Sequence, residues 1–196
     1  MAVPFPLRPS RAAGEPGRSA FSVKWREELV MQKYLPLLLM CVAIAGCGEP
    51  QLTEYKSSQG KFKVLFPGTP ELSNQTGRFN VQVQSYQVAL SSGAFLVNYY
   101  DDDSPVPIPA EALLMEAEGL CKGLGGSLAS HQATKLEGKY PGLEFSGNIT
   151  KPHTGKIRGR HYLVGNRVYT IVVAGTEKTV QSTTATQFLN SFATQE

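Results

Sequence analysis

Residues 143–174 carry the pattern that most narrows the fold. Leu143, Phe145, Gly147 and Ile149 alternate with Glu144, Ser146, Asn148 and Thr150, the period of a half-buried strand. After Lys151-Pro152-His153-Thr154-Gly155 a second run covers 156–164. The two-residue turn Gly165-Asn166 then leads into Arg-Val-Tyr-Thr-Ile-Val-Val-Ala at 167–174. Connections this short join only antiparallel neighbours, so the stretch reads as a three-strand meander. With Thr150 opposite Lys156, Ile149 would face Ile157 and Phe145 would face His161 on the apolar side.

The flanking segments extend the same picture. Phe62, Val64 and Phe66 alternate with Lys61 and Lys63, and Pro67-Gly68-Thr69-Pro70 stops that strand. Residues 80–90 and 94–100 read as a hairpin about Ser91-Ser92-Gly93. The apolar face shifts from Val81 and Val83 to Tyr86, Val88 and Leu90, which predicts a bulge near Gln84 or cover on both faces. Ala94 to Val97 is continuously apolar, as in a central strand. At 109–124 the period becomes helical, with Leu113, Leu114, Ala117, Leu120, Cys121 and Leu124 on one stripe. Pro109 suits the first turn and Gly125-Gly126 the end. Residues 127–137 are a weaker strand. A last helix is expected over 180–193, with Ala185, Phe188, Leu189 and Phe192 inward. The order predicts an α+β fold: an antiparallel β-sheet of about six to seven strands flanked by helices.

The amino-terminal part obeys a different logic. Residues 35–44, Leu-Pro-Leu-Leu-Leu-Met-Cys-Val-Ala-Ile, form an apolar core behind Arg26 and Lys33 and run directly into Ala45-Gly46-Cys47. Positive flank, short apolar stretch and small residues before a cut describe a secretory signal peptide. The ending Ile-Ala-Gly-Cys resembles a bacterial lipobox, which implies diacylglycerol on the Cys47 thiol and cleavage after Gly46. Residues 1–46 are therefore expected to be the signal peptide. Its first 30 residues are either an overlong gene start or an unusually long n-region, Met31 being the better start. Residues 47–60 are expected to form a lipidated polar tether and 61–196 a single α+β domain. The reading implies a cell-envelope location, lipid-anchored on the extracytoplasmic side of a membrane. No apolar run reaches the roughly 18–20 residues of a spanning helix.

Charge supports the division at Cys47. Residues 1–46 hold Arg8, Arg11, Arg18, Lys24, Arg26 and Lys33 against Glu15, Glu27 and Glu28, and the other 150 residues hold 13 of each sign. The mature part thus lacks the bulk positive field that non-specific phosphate binding uses, so no nucleic acid is expected as a partner. Of the three cysteines, Cys41 would leave with the signal and Cys47 would carry lipid. Cys121 remains, a free thiol on the apolar stripe of the first helix, read as a core residue and not a nucleophile.

Catalytic signals are sparse. His131, His153 and His161 lack metal-ligand spacing, and His161 falls on an apolar strand face where a hydrogen-bonded core histidine fits. Asp101-Asp102-Asp103 lacks the alternation that wraps carboxylates about an ion, and reads as a solvated acidic loop. There is no G-x-S-x-G elbow. No catalytic residue, metal or cofactor is therefore assigned. The remaining polar feature is Lys156, Arg158 and Arg160 on one strand face, a candidate strip for a partner or an anion. Its rival is an ordinary sheet face with arginine stems packed over apolar neighbours.

Gly60-Lys-Phe-Lys-Val-Leu-Phe-Pro-Gly-Thr-Pro70, Tyr140-Pro-Gly-Leu-Glu-Phe145, Arg158-Gly-Arg160, Tyr162 to Tyr169 and Phe188-Leu-Asn-Ser-Phe192 together resemble bacterial lipoproteins with a PsbP/Mog-like (DcrB-like) domain. The resemblance covers about residues 60–194 and rests on pattern and element order. It implies an antiparallel sheet flanked by helices and a binding or accessory role, with a protein partner. The chain carries no recognisable photosystem or GTPase-binding motif. Two alternatives are an envelope hydrolase, which needs His131 or His161 within reach of Ser, Asp or Glu, and a small-ligand carrier, which needs an apolar cavity of about 300 Å³ or more.

Overall fold

The computed structural model describes residues 50–76, 81–102 and 108–195. Cys47 and the segment before it lie outside the described residues. The compact unit that contains the described residues is 48–196.

The meander forms as expected and anchors a larger sheet. Its strands are β7 (Tyr140–Ile149), β8 (Gly155–Val164) and β9 (Arg167–Gly175). Gly165 takes φ +62° in the β8–β9 turn, the left-handed conformation that a two-residue hairpin needs. On one side β6 (Gly126–Leu136) pairs with β7. On the other, β5 (Gly93–Asp101) pairs with β9, then β4 (Gln82–Leu90), then β3 (Glu71–Thr76). The result is a seven-stranded antiparallel sheet in the order β3-β4-β5-β9-β8-β7-β6. The α+β expectation therefore holds, with strand β3 added. Every residue of β3 is exposed, so no apolar alternation marks it in the sequence.

A second sheet departs from expectation. β1 (Thr53–Ser57), β2 (Phe62–Phe66) and the two-residue β10 (Ala193–Thr194) form a separate antiparallel sheet. Residues 53–57, read above as tether, are thus part of the fold. Tyr55 is the reason: it packs within ring-contact distance of Phe66 and Tyr86, at 6.0 and 5.6 Å between centroids. The folded domain therefore includes β1, ahead of the expected boundary at residue 61.

Both faces of the large sheet are covered. One carries Tyr86, Phe95, Val97, Tyr99, Tyr169 and Ile171, capped by Phe62 and Phe66 of the small sheet and Phe188 of a carboxy-terminal helix. Phe188 meets Phe66 at 5.2 Å and Phe95 edge-on at 5.3 Å. The other face carries Leu143, Phe145, Ile157 and Val172 beneath α1 (Ala112–Gly123), which inserts Leu113, Ala117 and Cys121. Cover on both faces, not a bulge, explains the mixed pattern at 82–90. Ser85 and Tyr86 are both buried, and the β4–β5 register runs unbroken from Gln84 to Leu90. The bulge lies instead in β6, between Leu128 and Ser130.

The expected helix over 180–193 is two helices. Thr176 caps α2 (Glu177–Val180) by accepting from the Thr179 N–H, and Ser182 caps α3 (Thr183–Ser191) by accepting from the Ala185 N–H at 3.0 Å. Two side-chain caps in one short stretch start two helices. Cys121 has no exposed surface and no disulfide partner, and burial pushes its thiol pKa up. A bulky thiol reagent is therefore expected to label it only after denaturant unfolds the domain. Rapid labelling of the native protein would contradict the packing of α1.

Candidate functional site

The β7–β8 register places the cationic strip. Asn148 pairs with Lys156, Ser146 with Arg158, Glu144 with Arg160 and Gly142 with Tyr162. This differs by two residues from the expected register, so each residue keeps its face and changes its neighbour. Glycine opposite bulk decides it. A Cβ on Gly159 would lie 2.6 Å from Phe145 Cζ, and one on Gly142 would lie 2.4 Å from the Tyr162 ring. The expected pairing of Phe145 with His161 would have put two large rings directly opposite each other.

The new register makes Glu144 the counter-ion of the strip. Arg160 Nε donates to Glu144 Oε2 at 3.2 Å, and Arg158 Nη2 approaches Oε1 at 3.5 Å. Both guanidinium groups also grip α3. Arg160 donates to the Leu189 carbonyl at 3.0 Å and to Asn190 Oδ1 at 2.9 Å, while Arg158 donates to Thr186 Oγ1 at 3.1 Å. Lys156 donates to Asn148 Oδ1 at 2.8 Å. The Arg160 side chain is only 16% exposed. The three cations do share one face, but each already has internal partners, and the arginines pin α3 to the sheet.

His161 lies on the opposite face, at 1% exposure. Its ring stacks on Phe145 at 4.7 Å, and Nδ1 lies 2.9 Å from Thr170 Oγ1. Register places Ser85, Asn98, Thr170 and His161 in one row across four strands. His161 Nε2 and Asn98 Oδ1 are buried without hydrogen-bond partners. Burial lowers the His161 pKa to about 3, so the ring is neutral. His131 is exposed on β6, and His153 is exposed in the β7–β8 turn. His161 therefore meets a threonine, not the Ser, Asp or Glu that the hydrolase alternative needs.

A cleft of ≈ 320 Å³ opens at the end of the sheet that carries the β8–β9 turn. Lys61, Asp101, Tyr140, Asn166, Arg167 and Gln195 are among its walls. Arg167 organises it. Its Nε and Nη2 donate to the two Asp101 oxygens at 2.6 and 2.7 Å, and Nη1 reaches the Gln59 carbonyl at 3.2 Å. The guanidinium sits 4.5 Å from the Tyr99 ring centre. Donation from Arg167 holds the Asp101 carboxyl below the usual carboxylate range. Tyr169 donates to the Gly60 carbonyl at 2.7 Å, so the β1–β2 turn is clamped against the large sheet from two sides. The volume meets what the carrier alternative requires, but the walls mix Tyr140, Val164 and Tyr169 with charged and amide groups, so it is not a purely apolar cavity. Asp101 serves as an ion-pair partner, Asp103 lies outside the described residues, and no metal-ligand cluster occurs among the described residues. Sequence reasoning missed both Glu144 and Arg167. Glu144 was legible in the glycine positions; Arg167 pairs with a residue far away in sequence and left no local signal.

The arrangement, an antiparallel sheet covered on both faces, is PsbP-like. The solution structure of cyanobacterial PsbP (CyanoP) from Synechocystis sp. PCC 6803 matches with TM-score 0.55 at 13% identity, over 79% of this chain and 99% of that one. A Pseudomonas aeruginosa protein of unknown function matches over 66% of this chain and 86% of its own, with TM-score 0.39 and 12% identity. No protein-family model matches the chain, and no curated protein matches it in sequence. Identity this low establishes the fold alone.

Proposed function

We propose that this protein is an extracytoplasmic lipoprotein, anchored to a membrane through Cys47, whose PsbP-like domain acts as a non-catalytic binding or accessory module for a protein partner. The observation that carries the reading is the ordered run from Lys33 through the apolar decapeptide to Ala45-Gly46-Cys47. A spanning helix is not required for it. Each buried methylene contributes about 0.8 kcal/mol, so two or three acyl chains on one cysteine hold a domain at a bilayer. The neutral mature chain argues against a nucleic-acid partner, and the His161 ring, at 1% exposure, is withdrawn from solvent.

Labelled fatty acid supplied to the expressing cells is expected to enter the wild-type protein and not Cys47→Ser, which should accumulate as the uncleaved precursor. Label retained in the variant would remove the basis for the anchor.

A further inference from the structure

The chain enters the folded domain at one end of the sheet, and that end is decided by pairing. Thr53 pairs with Phe66 and Ser57 with Phe62. Phe66 lies with Phe188 and Phe95, near the Gly93 end of β5, whereas Phe62 lies over Tyr99 and Tyr169, near the β8–β9 turn. Thr53 is therefore at the end where Leu90 faces Gly93, Gly93 faces Gly175, Gly175 faces Lys156 and Ile149 faces Gly155. The turns at 91–92 and 150–154 project from that end. The cleft and Asn166 are at the other end, a ten-residue strand away, or about 30 Å.

We propose that this entry end rests on the lipid surface and that the cleft end points away from it. The inference builds on acylation of Cys47. Only residues 48–52 separate that cysteine from Thr53. Six Cα steps span at most about 20 Å even when fully extended, so the entry end cannot leave the bilayer by more than that. A flexible tether to residue 60 would have let the domain tumble, and β1 removes that freedom. Charge favours the same pose. Lys122, Lys151 and Lys178 are exposed at this end against Glu71 and Glu177, while Lys156 is half-buried against Asn148 and Glu54 is paired with Lys56 at 2.9 Å. Juxtamembrane lysines are drawn to anionic headgroups within a Debye length, about 8–10 Å. The same pose leaves the Arg167 cleft open to partners approaching from the aqueous side.

The lipidated mature protein, reconstituted in phosphatidylethanolamine–phosphatidylglycerol vesicles, tests the pose. Ser91→Cys, Thr154→Cys and Asn166→Cys each receive a fluorophore, and a fraction of the lipid carries a headgroup quencher. All three sites are exposed, and the native Cys121 is buried. Probes at 91 and 154 are expected to be quenched several-fold more than the probe at 166. If the protein floats with the vesicles yet the probe at 166 is quenched as strongly as the others, the domain lies on its side or is inverted and the pose is wrong. If it does not float, acylation fails and the pose falls with it. Flotation thus separates the two failures.

Discussion

Acid should destabilise this domain steeply, beginning near pH 6.5. His161 is neutral in the folded state because burial lowers its pKa to about 3, whereas an unfolded histidine titrates near its ordinary value of 6.5. Below pH 6.5 the unfolded chain therefore binds a proton that the folded chain refuses, and stability falls as pH falls. The loss approaches about 1.4 kcal/mol per pH unit and totals on the order of 4–5 kcal/mol by pH 3, below which it levels off. No charge opposes this: the ring faces Phe145 and Thr170, and the cluster it borders is the apolar set of Leu113, Ala117 and Leu143. Urea unfolding at stepped pH values measures it. His161→Gln retains a group able to bond Thr170 and does not titrate, so its profile should be flatter over pH 6.5 to 3. Equal slopes for variant and wild type would show that other groups govern the acid transition.

Arg160→Ala is expected to cost about 3 kcal/mol. The substitution strands the Leu189 carbonyl and one oxygen of Glu144, a carboxylate only 22% exposed, while the exposed Asn190 turns to water. Each unmet group costs about 1–3 kcal/mol, and Arg158 compensates part of the Glu144 share. Lys156→Gln should stay within about 1 kcal/mol, because its ammonium meets only Asn148 at a half-buried site. A cycle of Arg160→Ala with Glu144→Gln isolates the pair. If Arg160→Ala leaves the unfolding midpoint unchanged and instead abolishes capture of membrane proteins, the strip is an interaction surface and not the fastening of α3.

Much of the large sheet was legible because its strands alternate or carry hairpin turns. Residues 143–150 show period two, and Gly165-Asn166 marks a tight turn. Three things escaped. β3 is an exposed edge strand, paired to β4 mainly through its backbone, and backbone pairing leaves no apolar side-chain pattern. β1 is held by Tyr55, whose partners Phe66 and Tyr86 lie in other elements. The β7–β8 register was misplaced because alternation is blind to a shift of two residues. The glycines could have corrected it, since Gly142, Gly147 and Gly159 each face a large side chain. For the site, the shared face of Lys156, Arg158 and Arg160 followed from period two, but their engagement by Glu144 and α3 depended on tertiary contacts.

Membrane anchoring through Cys47 is the claim on which the functional reading turns, and the mass of the mature protein tests it most directly. Protein extracted from its own membranes in detergent should begin at Cys47, with a mass increment of a diacylglyceryl group or of that group plus one further acyl chain. After proteolysis the increment should remain on the peptide that contains Cys47. A mature chain that begins elsewhere, or an unmodified Cys47 peptide from membrane-derived material, would contradict the account.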